Sequence, residues 1–248
     1  MADHVRESSR GMAPPGLFLA IGLIVAAWIG ADALRDVRPS GQAIVVKGYA
    51  ERTVTSDLAT WSGNFTFRAS SLAEAYQGLE RDRAKVQAFL AARGLPQGAV
   101  ILQPVMTETL QRVSEAGHTT NVVEGYVLRQ QVRVESADVK LVESVARAAT
   151  DLIKDGVAFE SWQPEYFVAH LDAFKLELLG EATRNARERA EMLAGNSGSK
   201  AGKLQSASQG VFQITPANST MVDDYGTYDT STIEKVVKAV VTVSYGID

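Results

Sequence analysis

Residues Gly11 to Ala31 form a run of 21 without a formal charge, and no other stretch of this 248-residue chain is as long and apolar. That length is close to the ~20 residues that a helix needs to span a hydrocarbon core. Leu17, Phe18, Leu19, Ile21, Leu23, Ile24, Val25, Trp28 and Ile29 make up the expected anchor. Trp28 suits the membrane interface, and Pro14 and Pro15 fall at the helix entrance, where the first amides lack partners in any case. A cleaved secretory signal is the rival reading, because Ala31-Asp32-Ala33 has the small-x-small form of a processing site. Arg6 and Arg10 before the run are matched by Arg35 and Arg38 after it, so the positive-inside rule gives no orientation. Either reading exports the domain behind the run. The expected location is therefore the inner membrane, single-pass with the C-terminal domain in the periplasm, or the free periplasm if the chain is cut after Ala33.

The rest has an ordinary globular composition, which limits the chemistry open to it. Removing the two arginines and three acids of residues 1–34 from totals of 25 and 29 leaves 23 basic against 26 acidic groups. With no basic excess to neutralise phosphates, nucleic-acid binding is disfavoured. Cysteine is absent, and with it thiolate nucleophiles, Cys-ligated zinc and disulfides. An exported domain of this size is then held by its core alone.

Residues 1–38 read as tail, anchor and linker, and 39–248 as one α+β domain with two lobes near 39–156 and 157–248. Strand-like runs occur at Ile44 to Ala50 and Leu58 to Ala69. In the second, Ala59, Trp61, Gly63, Phe65 and Phe67 alternate with polar residues, the period of a strand with one buried face. Ser71 and Glu74 open a helix as a capping box, with Leu72, Ala75, Leu79, Val86, Phe89 and Leu90 as its stripe and Gly94 as its stop. Val100 to Val113 and Val122 to Glu135 read as strands, with Pro104 at an edge or bulge because it cannot donate to a ladder. A second helix starts at Ser136 and Asp138 and closes at Gly156; a strand spans about Ala158 to Ala169.

The longest helix, about Leu171 to Ala194, carries Leu171, Phe174, Leu178, Ala182, Ala186, Ala190 and Leu193 on one face, and its alanines permit close approach to a sheet. A weak strand follows at Leu204 to Ile214, a polar loop at Thr215 to Thr232, and an alternating strand from Val237 to Ile247. The order β-β-α-β-β-α-β-α-β-β gives an α+β class: a layered antiparallel or mixed sheet with helices on one side, behind one N-terminal transmembrane helix.

No catalytic, cofactor or metal constellation emerges. His4, His118 and His170 have no ligand spacing, and no G-x-S-x-G elbow exposes a serine. Gly198 to Lys203 resembles a phosphate loop only superficially: Ser197 stands where the first glycine belongs, Leu204 replaces the magnesium hydroxyl, and the segment follows a helix C-terminus. Asp223, Asp224, Tyr225, Tyr228 and Asp229 read as a solvated loop without calcium-loop spacing, with its tyrosines as a contact surface. Trp61 and Trp162 read as packed in or beside strands.

With this order in hand, the chain resembles the SIMPL-domain family, which includes bacterial exported proteins linked to oxidative-stress defence and an immunogenic periplasmic antigen. The resemblance is carried by Val46-Lys47-Gly48-Tyr49-Ala50-Glu51, Asp57-Leu58-Ala59, Glu74-Ala75, Leu90 with Gly94, and Gly125-Tyr126. It continues through Gly156, the Ala182/Ala186/Ala190 ladder with Leu193-Ala194, Gly198, and Val240 to Tyr245. Ser56 stands where the family usually places a proline. The resemblance implies an α+β fold, ring- or channel-like homo-oligomers as the partner, and no catalytic residues. The expected function is a non-enzymatic, membrane-tethered scaffold whose partners are itself and, through residues 11–31, the lipid bilayer, with no cofactor. The alternatives are an enzyme with an unrecognised site and a soluble kinase-associated signalling adaptor.

Overall fold

The period-two run that predicts a strand at Leu58–Ala69 forms one there, with Ala59, Trp61 and Phe65 buried and Ser62, Asn64 and Thr66 half-exposed. The computed structural model describes residues 22–32, 43–219 and 225–248. Helix α1 covers 22–32, with Leu23, Ile24, Val25, Trp28 and Ile29 exposed. Leu17, Phe18, Leu19 and Ile21 lie outside the described residues, so the expected anchor is described only in its second half. Among the described residues no helix is long and apolar enough to cross a membrane.

Beyond α1 the order is β1 (Ala43–Thr55), β2 (Leu58–Ala69), α2 (Leu72–Ala92), β3 (Val100–Leu102), β4 (Met106–Val113), β5 (Thr119–Ser136), α3 (Val139–Ala148) and α4 (Asp151–Lys154). There follow β6 (Ala158–Ser161), β7 (Glu165–Phe167), α5 (Leu171–Asn196), β8 (Ala201–Gln209), β9 (Gln213–Pro216) and β10 (Glu234–Ile247). The chain divides into two compact units, one of 46–189 with 207–243 and one of 190–206 with 244–248 and the described residues before 46. One sheet has the order β3-β5-β2-β6, with β4 also on β5 and β7 also on β2; the other has the order β1-β10-β8, with β9 also on β10. Every registered pairing is antiparallel, so the α+β expectation holds.

In the larger unit the six-stranded sheet buries one face under α2, α3 and α4. Trp61, Phe65, Leu128, Val132 and Val134 from the strands meet Leu79, Val86, Leu90, Val142, Val145 and Leu152 from the helices. Truncation of any one large member of such a core costs about 2–5 kcal/mol. The Trp61 indole N–H donates to Ser161 Oγ at 3.1 Å, and that hydroxyl donates to the Ala146 carbonyl at 3.2 Å, so the buried ring leaves no polar atom stranded.

Four sequence expectations shift in detail, each for a local reason. Pro104 interrupts rather than bulges the run from Val100, giving separate β3 and β4 on the same neighbour β5, with the gap bridged by the Gln103 amide to the Gln131 carbonyl at 2.8 Å. Pro164 likewise separates β6 from β7. Leu72, Ile153 and Leu193, assigned to buried stripes, are 48, 54 and 54% exposed; at the last two the adjacent Leu152 and Ala194 take the buried position instead, the alanine one turn on from Ala190. Only half of the capping box forms: Ser71 Oγ accepts from the Glu74 amide at 3.3 Å, while the Glu74 carboxylate takes the Ser70 hydroxyl. Ser71→Ala is accordingly expected to lower stability by about 1 kcal/mol, read as the chemical denaturation midpoint at constant slope.

The alanine face of α5 packs as its composition suggests. Ala182 and Ala186 are fully buried, and Gly48 of β1 lies against them so closely that an added Cβ would stand 2.0 Å from the Ala182 carbonyl oxygen and 2.7 Å from the Ala186 Cβ. Around this contact Arg52 reaches Glu177 at 2.8 Å and Glu181, and lies 4.9 Å from the Phe174 ring centroid, while Arg189 donates to the Lys47 carbonyl at 3.1 Å. At Ser56 the amide donates to the Ile233 carbonyl at 2.9 Å, a bond that proline could not make. In the smaller unit, α5 ends at Gly198 with φ of 77°, and Lys200 and Asp248 exchange both backbone hydrogen bonds at 3.0 Å. The apparent phosphate loop is thus a helix stop and strand start.

Candidate functional site

β5 is the longest of the described strands, and its two halves have different surroundings. From Tyr126 to Ser136 it pairs with β2 over eleven residues, from Ala69↔Tyr126 to Ala59↔Ser136. Gly125 marks the departure: a Cβ there would stand 2.7 Å from the Ala69 carbonyl oxygen, so only glycine lets β5 pass the end of β2. Before it, among the described residues, 119–124 pair only with the end of β4 from Gln111 to Val113, and this two-stranded stretch forms an arm. Irregularities at Leu110/Gln111 and Gln111/Val113 add twist to it. Its tip is closed by Ser114 and His118, with the Ser114 amide donating to the His118 carbonyl at 2.8 Å and Gly117 at φ of 79°.

The arm has almost no packing of its own. Along β4 only Leu110 is half-buried, and along 119–124 only Thr120. On the arm Val113, Val122 and Val123 are 60, 49 and 47% exposed, and Met106, at the start of β4 where β5 is also paired with β2, is 70% exposed. A two-stranded ribbon is marginal in water without a third partner, and an edge strand with apolar side chains is a template for pairing. Sequence reasoning gives two strands here but not their exposure, since a Thr/Val-rich strand reads alike on an arm or in a sheet.

A second surface feature lies beside the Thr60–Ser62 stretch of β2. A cleft of about 430 Å³ is bounded by Thr60 and Ser62, by Trp162, Gln163 and Glu165 around the β6–β7 connection, and by Thr230 and Ser231 ahead of β10. Trp162 is 45% exposed, in contrast to Trp61 at 1%, and its amide donates to the Ser62 carbonyl at 3.1 Å. It also borders a smaller hollow of about 240 Å³ with Glu143, Arg147 and Tyr166. Burial, with the Glu143 carboxylate nearby, pushes the Tyr166 phenol up.

The floor of the 229–231 segment is the most tightly bonded polar cluster described. The Lys235 ammonium is completely buried and donates to the Asp229 carbonyl at 2.6 Å and its carboxylate at 3.1 Å. The same carboxylate accepts from the Ser231 amide at 3.0 Å and hydroxyl at 2.6 Å, and from the Thr232 amide at 3.2 Å and hydroxyl. Burial pushes the Asp229 carboxyl up, but these hydroxyl, amide and ammonium donors outweigh it and hold it well below the usual carboxylate range. Asp229 therefore departs from the solvated-loop expectation, as does Tyr228, whose hydroxyl is bonded to the Val168 backbone. Asp223 and Asp224 lie outside the described residues.

The histidines stay apart. His118 caps the arm, His170 stands at the start of α5 with Nδ1 3.1 Å from Asp57 Oδ2, and His4 lies outside the described residues. Burial raises the Asp57 carboxyl, but the Ala169 amide and His170 lower it further, so it ends below the ordinary range. Among the described residues no group of three His, Cys, Asp or Glu is placed to hold a metal.

The fold is thus an α+β domain of antiparallel sheets that presents a β-arm and a polar, tryptophan-walled cleft. The chain belongs to the SIMPL family, described as a protein of unknown function (DUF541), whose model matches residues 44–245, from the start of β1 to near the end of β10. No curated protein gives a match.

Proposed function

We propose that this protein is a non-enzymatic envelope scaffold, a SIMPL domain that self-assembles through its β4–β5 arm into a ring- or channel-like oligomer serving envelope protection against oxidative stress. Residues Gly11 to Ala31 tether it to the inner membrane with the domain in the periplasm; cleavage after Ala33 makes the same assembly periplasmic. The observation that carries the reading is the arm itself, a ribbon with three exposed apolar side chains, Val113, Val122 and Val123, and no third strand among the described residues. A second copy supplies that strand and satisfies the outer edge of β4. Tethering would favour assembly, since confinement to one surface raises effective concentration.

The test is light scattering on the full chain in mild detergent, beside N-terminal sequencing. The wild type is expected to scatter as an oligomer, and the Val113→Arg/Val123→Arg double variant as a monomer with unchanged circular dichroism. A wild type that is a strict monomer across micromolar concentrations overturns the assembly, and a new N-terminus at Leu34 overturns the tether.

A further inference from the structure

We propose that the Trp162 cleft is a binding site for neutral saccharide. The lining is telling first for what it lacks. Of its nine residues none is Lys or Arg and only Glu165 is acidic, so phosphate, carboxylate and other anionic ligands find no counter-charge there. It is equally unsuited to a hydrocarbon. Burying the hydroxyl of Ser62 and the amide of Gln163 under an apolar molecule would cost them their water partners, a loss that contact with one ring does not restore. The volume lies within the ~300–1,000 Å³ of pockets that hold small ligands.

What the lining has fits a sugar. A pyranose offers an apolar face of C–H groups and a rim of hydroxyls that both donate and accept. Trp162 offers the flat apolar surface for the face. Its indole N–H is bonded to no described residue, which leaves it for the ligand. Around it stand both kinds of polar partner: Glu165 only accepts, Gln163 donates and accepts, and Ser231, whose hydroxyl proton is committed to Asp229 at 2.6 Å, presents its oxygen as an acceptor.

The walls are also held in place before any ligand arrives. Trp162 is pinned through its amide to Ser62, the Thr230 carbonyl accepts from the Tyr166 amide at 2.8 Å, and Ser231 is fixed to the buried Asp229–Lys235 pair. Such prior ordering removes much of the entropy that ligand binding otherwise loses.

The experiment screens the full chain in mild detergent on an array of neutral oligosaccharides, with sialylated oligosaccharides, inorganic phosphate and a random peptide pool as controls, and then titrates the best neutral binder by calorimetry. Trp162→Ala is expected to weaken that binding at least roughly tenfold, and Gln163→Ala and Ser231→Ala by smaller factors, with unchanged thermal midpoints for Trp162→Ala and Gln163→Ala. Trp162→Phe, which keeps a flat ring and the fold, retains part of the affinity. The Val113→Arg/Val123→Arg arm variant binds as the wild type does, which separates this site from the assembly proposed above. Absence of binding to every neutral oligosaccharide at millimolar concentration, a preference for a control ligand, or a titration indifferent to both Trp162 variants overturns the proposal.

Discussion

Asp229→Ala is expected to lower the stability of the domain by about 3–5 kcal/mol, because it strands a completely buried ammonium. In the native fold Lys235 Nζ has two bonds, both to Asp229, and the carboxylate holds four further donors from Ser231 and Thr232. Removal of the carboxylate leaves Lys235 facing one carbonyl and releases the segment before β10. Lys235→Met is expected to cost less, since the hydroxyls and amides still hold the carboxylate. The double variant Asp229→Asn/Lys235→Met should recover part of the loss, as buried ion pairs exchanged for neutral groups often do. Denaturant melts of the three variants at pH 7 decide this. The same cluster sets an acid limit. The folded-state pKa of Asp229 lies below its unfolded value, so its contribution is complete above the ordinary carboxylate range near 4 and is lost as the pH falls through and below it. The thermal midpoint of the wild type should drop more steeply between about pH 5 and 3 than that of Asp229→Asn, and equal slopes would refute the assignment.

Gly48→Val is the second substitution with a large expected effect, a loss of about 3 kcal/mol or failure to fold. The clash is with the Ala182 carbonyl oxygen and the Ala186 amide, which are helix backbone and cannot swing away as a side chain would. Either β1 or α5 must shift, and the Arg52 contacts to Glu177, Glu181 and Phe174 would be pulled out of register with it. Gly48→Ala should be milder yet still clearly destabilising, since its single methyl already falls at 2.0 Å from the oxygen. A midpoint for Gly48→Ala within error of the wild type would show that the α5 contact is looser than its geometry. Ala186→Gly is the compensating change to combine with it, because it removes the Cβ met at 2.7 Å.

What the sequence discloses depends on the strength of its periodicities. The limits of β2 are legible to the residue because Ala59 to Ala69 alternates without a break, and the alanine face of α5 is legible because consecutive steps of three or four residues carry it. The partnership of Gly48 with Ala182 and Ala186 is only half legible: both motifs stand out, but they lie far apart along the chain and no local pattern reports their contact. The arm is harder. Thr107, Thr109, Val122 and Val123 have the composition of a buried sheet, and whether a strand gains a second neighbour is decided by β2 ending at Ala69. Lys235 is hidden for the opposite reason. A lysine ordinarily stays in water, although the alternation of Val237, Ala239 and Val241 puts position 235 on their buried face, and only the turn of the 229–232 segment, with its hydroxyl and carboxylate side chains directed inward, makes that burial tolerable. Trp61 and Trp162 differ by context in the same way: one lies inside the alternating run and is covered, the other sits two residues before Pro164 on a connection and stays open.

The uninterrupted course of β5 has a mechanical consequence. A pull on the arm acts along the strand axis, while the hydrogen bonds to β2 lie perpendicular to it. Eleven paired residues therefore share the load in shear, with no first bond to peel open as in an unzipping hairpin. A load applied to the arm is thus carried along β5 to the hydrophobic centre of the domain, as a tendon carries it, rather than lost in the opening of a hairpin.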